Sequence, residues 1–303
     1  MMIDFRGGLR LTALCATLLT VAACSKDTDE IIAVAPPDEA PVSADTKAVA
    51  APDLTPEQLA ALETRARAIH SRITTIDTHV DIPPIYMTRA ADPGVRGPMQ
   101  VDLPKMLEGG LDAAFFIVFV PQGPLTDEGY AAAYDAAITK FDAINRLSSL
   151  YGHVIELAKT TGDFERLVSV KKRIALIGVE NAYPLGNDLT RIKEFYERGA
   201  RYLSITHGGD NQLGASSTGH SLGDAAEDAG GLTRFGEQAI AEMNRLGIMV
   251  DVSHASQKTT LEAIKRSKAP VIASHSGVKG VADIPRNLSD KELQAIAKKG
   301  GVA

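Results

Sequence analysis

Tryptophan is absent from this 303-residue chain, cysteine occurs twice, and aromatic side chains make up only 5% of the residues. Each scarcity excludes something. Few aromatics among abundant Ala, Leu, Ile, Val and Gly suit helices packed on a buried parallel sheet and disfavour an aromatic-rich sandwich. Without a cysteine cluster there is no structural thiolate site for a metal. No basic stripe accompanies the formal charge of -6, which argues against nucleic acid as a partner. Internal repeats and a nucleotide-binding glycine loop are also missing; GDNQLG is an ordinary loop, not a phosphate cradle. The apolar stretch LTALCATLLTVAA near the N-terminus is too short to span a bilayer. What remains, at 45% hydrophobic content, suffices for one large core or two ordinary ones.

Arg6 and Arg10 precede that apolar stretch, the layout of a secretory signal peptide over residues 1–23. The stretch closes on Val21-Ala22-Ala23-Cys24, which resembles a bacterial lipobox. The resemblance implies cleavage before Cys24, lipidation of that residue and a membrane anchor. Ser25 behind it resembles the sorting position of outer-membrane lipoproteins, so the expected location is the periplasmic face of that membrane. Cys15 would leave with the signal peptide, so no internal disulfide is expected. Residues 24–53 are rich in Pro, Ala and acids without a sustained period and read as a disordered tether. The folded part is then expected over residues 54–303.

Thr55 followed by Pro56 and Glu57 predicts a helix start, with the helix running to about Ile73. After it, apolar runs and helical stretches alternate. The runs are TTIDTHVDI, DAAFFIVFV, RIALIGVE, RYLSITH, IMVDVSH and PVIASHS. Residues 127–160 read as helical with a break near Tyr151-Gly152, and residues 208–230 as a long polar loop. SQKTTLEAIKRS and SDKELQAIAKKGG read as Ser-capped helices. Six strand–helix units, with Val302-Ala303 opening a seventh strand, predict a (β/α)8 TIM barrel of the metal-dependent hydrolase type. It is incomplete, its last two βα units missing, and the chain is expected to be a fragment of a longer one. An open doubly wound sheet is the alternative, since it too binds ligands at strand ends. The barrel is favoured because ligand-type residues are spread over at least four strands and no glycine-rich first turn is present.

Those ligand-type residues end one run after another: His79 and Asp81, Glu180, His207, His254 and His275. In a barrel this is where the active site forms. His79 and Asp81 are two apart, so a strand points both to one face and toward one ion. A single His or Asp at a strand end more often caps a loop; five such strand ends in succession read as a metal-dependent hydrolase. Imidazole and carboxylate donors suit Zn²⁺, with Mn²⁺ and Co²⁺ as substitutes, and Glu180 is a carboxylate able to bridge two ions. His70, His153 and His220 hold no such position and read as surface or structural histidines.

Together, DTHVDIP, LIGVEN, LSITH, VDVSHAS, IASHSGVKGV and PRNLSD resemble, in order, the membrane (renal-type) dipeptidase family from about Ile73 to Ala303. The resemblance implies a binuclear zinc centre in a (β/α)8 barrel, two Zn²⁺ per chain. His79 and Asp81 would bind one ion, His254 and His275 the other, and Glu180 would bridge them, with a shared hydroxide as nucleophile. It implies that His207 polarises the scissile carbonyl and that Arg286 grips the substrate's terminal carboxylate, a task its forked guanidinium fits. Val80 stands where the animal enzymes have Asn, and no position matches a further family aspartate near the last strand. The expected activity is zinc-dependent hydrolysis of dipeptides at the envelope, with a homodimer as a further family property. The alternatives are another amidohydrolase-type activity, such as an N-acyl amino acid deacylase or a lactonase, and a non-catalytic binding lipoprotein.

Overall fold

The computed structural model describes residues 54–218 and 230–303. The segments expected as signal peptide and tether, Cys24, His220 and its part of the long loop lie outside the described residues. Six parallel strands form one sheet: β1 (Ile76–Asp81), β2 (Ala113–Phe119), β3 (Ile155–Leu157), β4 (Arg173–Glu180), β5 (Ala200–Ser204) and β6 (Met249–Asp251). Their order is β1-β2-β4-β5-β6, with β3 lying beside the first residues of β4. Beyond β6 the sheet continues as single parallel bridges from Asp251 to Ile272 and from Ile272 to Val302. PVIASHS thus holds a strand position through one bridged residue, and Val302 stands where the seventh strand is expected. Among the described residues the sheet does not close, yet Thr78 of β1 donates its hydroxyl to the Ser274 carbonyl at 2.6 Å. The sheet therefore curls until its first strand touches the run that follows β6.

Helices connect the strands: α1 (Pro56–His70), α2 (Leu103–Gly109), α3 (Asp127–Leu150), α4 (Thr161–Ser169), α5 (Thr190–Arg198), α6 (Arg234–Leu246), α7 (Gln257–Arg266) and α8 (Asp290–Lys298). Their starts follow local chemistry. Thr55 and Gln58 form a reciprocal capping box at α1, and Ser289 and Glu292 form another at α8. Among the described residues no helix is long and apolar enough to cross a membrane.

The stretch 127–160 is not one broken helix. It ends at Leu150, turns through residues 151–154, and gives β3 and then α4, which Thr160 caps. His153 consequently sits exposed in the turn after α3 rather than on it. The pairing of Ile155–Leu157 with Arg173–Ala175 supplies a tertiary partner that local pattern does not show.

Alternation along the strands builds two cores. Ala114, Phe116 and Val118 of β2 and Ala175, Ile177 and Val179 of β4 face the helices. Ala113, Phe115 and Ile117, with Ile174, Leu176, Tyr202 and Ile272, pack together on the opposite, inner face. Along that inner column of β4 the next positions are Gly178 and Glu180. Gly178 is paired in register with Tyr202, and a methyl group at Gly178 would overlap the Tyr202 ring. Its glycine gives the phenol room to cross the interior toward β1.

Candidate metal centre

Glu180 ends β4 with only 3% of its surface exposed, and four imidazoles converge on its carboxylate. The Nε2 atoms of His254 and His275 stand 3.0 and 3.1 Å from Oε1. His79 Nε2 is 3.4 Å from Oε2, and His207 Nε2 is 3.8 Å from Oε1. The histidines also touch one another: the His79 and His275 rings stack at 3.6 Å, and His254 Nε2 lies 2.9 Å from His275 Nε2. Asp81 stands at the rim, its Oδ1 3.8 Å from His79 Nε2 and its side chain 67% exposed. All six strand-end residues expected from sequence therefore gather at one mouth.

The local backbone makes that convergence. Asn181, directly after Glu180, has φ of 74°, a left-handed conformation costly for a residue with a β-carbon. Neighbours over-determine it. Its amide donates to Ser204 Oγ, its side-chain amide donates to the Val120 carbonyl, and its Oδ1 accepts from Tyr183 N and Asn211 Nδ2. His254 has φ of 67° and is tied down by Ser217, whose amide donates to the His254 carbonyl at 2.7 Å. Sequence reasoning reached Glu180 and His254 but not these bends, because most of the partners that fix them lie 23 or more residues away.

Electrostatics fit a cation site. Burial alone would push Glu180 up, but contacts with His254, His275 and His79 outweigh it and hold the carboxyl well below the usual range. Burial pushes His254 down to about 4, aided by Arg286 and His207, and pushes His207 down as well. His254 is therefore neutral near pH 7, and its contact with Glu180 is not an ion pair. Two groups offer one ligand atom per residue, all within 4.8 Å of one another: His79, Glu180 and His275, and Glu180, His207 and His254. Glu180 is common to both, as a bridging ligand requires. His275 stands between His79 and His254, its ring stacked on His79 at 3.6 Å and its Nε2 2.9 Å from that of His254. Imidazole nitrogens and carboxylate oxygens around a buried anionic centre are the donor set of divalent zinc-like ions.

Around this centre stand further groups. Arg286 donates from its two terminal nitrogens to the His275 carbonyl at 2.6 Å and to Ser276 Oγ at 3.0 Å, and burial lowers its pKa. His207 is held between rings, 4.5 Å from Phe119 and 4.3 Å from His254 by centroid. Lys140, missed from sequence because it lies in the amphipathic pattern of α3, is buried and donates to the Ile82 carbonyl at 2.9 Å. It lines, with Asp81, Pro84, Phe119 and Pro121, a cavity of about 340 Å³. A larger cavity of about 780 Å³ lies at the N-terminal ends of the strands, lined by His70, Ile73, Gly110 and Arg173 among others, and touches none of the converging residues. His70 belongs to that end and, like His153, stands apart from the centre.

A parallel sheet whose inner face carries imidazoles and a shared carboxylate at its C-terminal mouth has the layout of an active site in a barrel-type metalloprotein. The comparisons narrow it. Residues 63–303 match the membrane dipeptidase family, peptidase family M19, and the chain belongs to that family. It is 31% identical over 249 residues to mouse dipeptidase 3, covering 80% of this chain and 48% of the relative. Among solved structures, the probable dipeptidase PvdM from Pseudomonas aeruginosa superposes with a TM-score of 0.74 at 30% identity, covering 80% of this chain and 62% of that one. An amidohydrolase from the same organism gives 0.64 at 28% identity, covering 78% and 63%. The chain thus spans about half the length of the curated relatives it matches.

Proposed function

We propose that this chain hydrolyses dipeptides with the aid of two divalent cations, zinc by its choice of donors, and that Cys24 ties it to the bacterial envelope. One observation carries the reading: four imidazole nitrogens converge on the buried carboxylate of Glu180 with Asp81 at the rim. His79 and Asp81 would hold one ion and His254 and His275 the other, with Glu180 shared. When bound, such ions supply Lewis acidity and acidify a water. The remaining roles fall to the chain's own groups. His207, kept neutral by burial and fixed between Phe119 and His254, donates a hydrogen bond to the oxygen on which charge develops. A donor so placed is typically worth about 3 kcal/mol of barrier. Arg286 uses two of its N–H groups on His275 and Ser276, which orients the fork and leaves donors for a substrate carboxylate. The cavity beside Asp81 and Phe119 receives a substrate side chain.

A second reading, hydrolysis of N-acyl amino acids, draws on the likeness to the amidohydrolase and uses the same ligands and Arg286. Chelator-treated protein reloaded with Zn²⁺ and offered alanyl-alanine of each stereochemistry beside N-acetyl-alanine separates the two. Free-amine dipeptides should be cleaved, activity should need zinc, and elemental analysis should give two ions per chain. Turnover that survives chelation, or that is confined to the N-acyl substrate, refutes the proposal. The anchor has its own test: labelling with radioactive palmitate should disappear in Cys24→Ser, and an unlabelled native chain removes the envelope reading.

A further inference from the structure

Beneath the converging histidines lies a buried polar layer that the roles above do not use: Tyr202, Asp251 and Ser274, with 0%, 0% and 7% exposure. Tyr202 and Ser274 each touch the far ring nitrogen of a histidine whose near nitrogen faces Glu180, and Asp251 stands behind Ser274. Counting protons along these connections fixes which nitrogen carries hydrogen.

On one side, the Tyr202 hydroxyl donates to the Thr78 carbonyl at 3.0 Å, and the same oxygen lies 3.1 Å from His79 Nδ1. A phenol has one proton. A carbonyl can only accept, so that proton belongs to the Thr78 contact. Both contacts can exist together only when His79 Nδ1 bears hydrogen and donates to the phenol oxygen. On the other side, Ser274 Oγ donates to Asp251 Oδ2 at 2.6 Å and lies 2.8 Å from His275 Nδ1. Asp251 is anchored by the amides of Ser253 and Ser274, which donate to its Oδ1 at 3.0 and 3.1 Å. The serine's single proton goes to the carboxylate, so His275 Nδ1 must donate to Ser274 Oγ. Both rings then present a bare Nε2 lone pair toward Glu180, at 3.4 and 3.1 Å.

We infer that Tyr202 and the Ser274–Asp251 pair are positioning residues that hold His79 and His275 as Nδ1–H tautomers with Nε2 free for a divalent cation. The two supports are unequal. The His79 chain ends on a neutral carbonyl, whereas the His275 chain ends on a buried carboxylate. A carboxylate behind an imidazole raises its basicity as a ligand, so His275 is the stronger donor of the pair. The inference rests on the metal-site reading above.

The test uses the chain labelled with ¹⁵N in its seven histidines, with long-range ¹H–¹⁵N spectra of the metal-free protein above pH 8 to read each tautomer. Competition titration with Zn²⁺, and the visible spectrum of the Co²⁺ form, read the ligands. His79 and His275 should both be Nδ1–H. Ser274→Ala should scramble the His275 tautomer and weaken Zn²⁺ binding by about 10–100-fold. Ser274→Thr, which keeps a hydroxyl, should restore both. Tyr202→Phe should disturb the His79 signal most, with a smaller loss of affinity. A bare Nδ1 on either ring of the native protein overturns the inference. So does a folded Ser274→Ala variant, by circular dichroism, with unchanged tautomer and affinity. Absence of dipeptide turnover in a chain with the expected tautomers and zinc affinity counts against the proposed function and leaves this inference standing.

Discussion

Replacing Gly178 by alanine tests whether the interior of the sheet transmits packing to the metal centre. The position is not left-handed, so alanine meets no torsional obstacle and would ordinarily gain a few tenths of a kcal/mol from reduced chain entropy. Space is the obstacle. The new methyl would overlap the Tyr202 ring, which is fully buried and backed by Phe115 at 4.9 Å between centroids. Overpacking of this kind costs about 1–3 kcal/mol, leaving a net loss of about 1–2 kcal/mol once the entropy gain is offset. The ring can yield only by withdrawing its hydroxyl from Thr78 and His79. Urea denaturation of metal-free protein reads the first effect and zinc affinity the second. Tyr202→Leu removes the clash, so the Gly178→Ala cost should largely vanish in the double variant, a coupling of the size seen for contacting residues. A neutral Gly178→Ala, or costs that simply add in the double variant, refutes the reasoning.

Arg286→Ala should raise KM for dipeptides strongly while changing kcat less, because the guanidinium is assigned to a carboxylate remote from the scissile bond; steady-state kinetics with an unchanged KM removes that role. Acid should destabilise the metal-free chain. His254 is held at about 4 from an ordinary 6.5, so as pH falls through this interval the unfolded chain takes up a proton that the folded one refuses. Glu180, also lowered, adds a loss that begins as pH falls below its ordinary 4.5. Urea midpoints should therefore decline between pH 6.5 and 4, and a flat profile there contradicts the burial argument for His254.

Much of this architecture is legible from sequence for a definite reason. Strands buried on both faces read as uninterrupted apolar runs, and helices capped by Thr55, Ser256 and Ser289 announce their first turns. The strand-end ligands are visible because a polar residue closing an apolar run needs an explanation. What escapes is whatever depends on distant partners. β3 has three residues and exists through its pairing with β4. Lys140 sits among the alanines of α3 with no local sign that it is buried. Asp251 was open to detection, since a charge inside IMVDVSH is as anomalous as one at its end, but its serine partner lies 23 residues away. The division of histidines between two ions is a matter of ångströms, and sequence order does not carry it.

The bends at Asn181 and His254 set a condition on anyone who would copy this centre into another scaffold. Grafting the histidines and the glutamate onto regular strands would omit this backbone, because His254 itself sits at a left-handed torsion and Glu180 directly precedes another. The transferable unit includes Ser204, Asn211 and Ser217, polar groups with no expected part in the chemistry, whose hydrogen bonds make those torsions affordable.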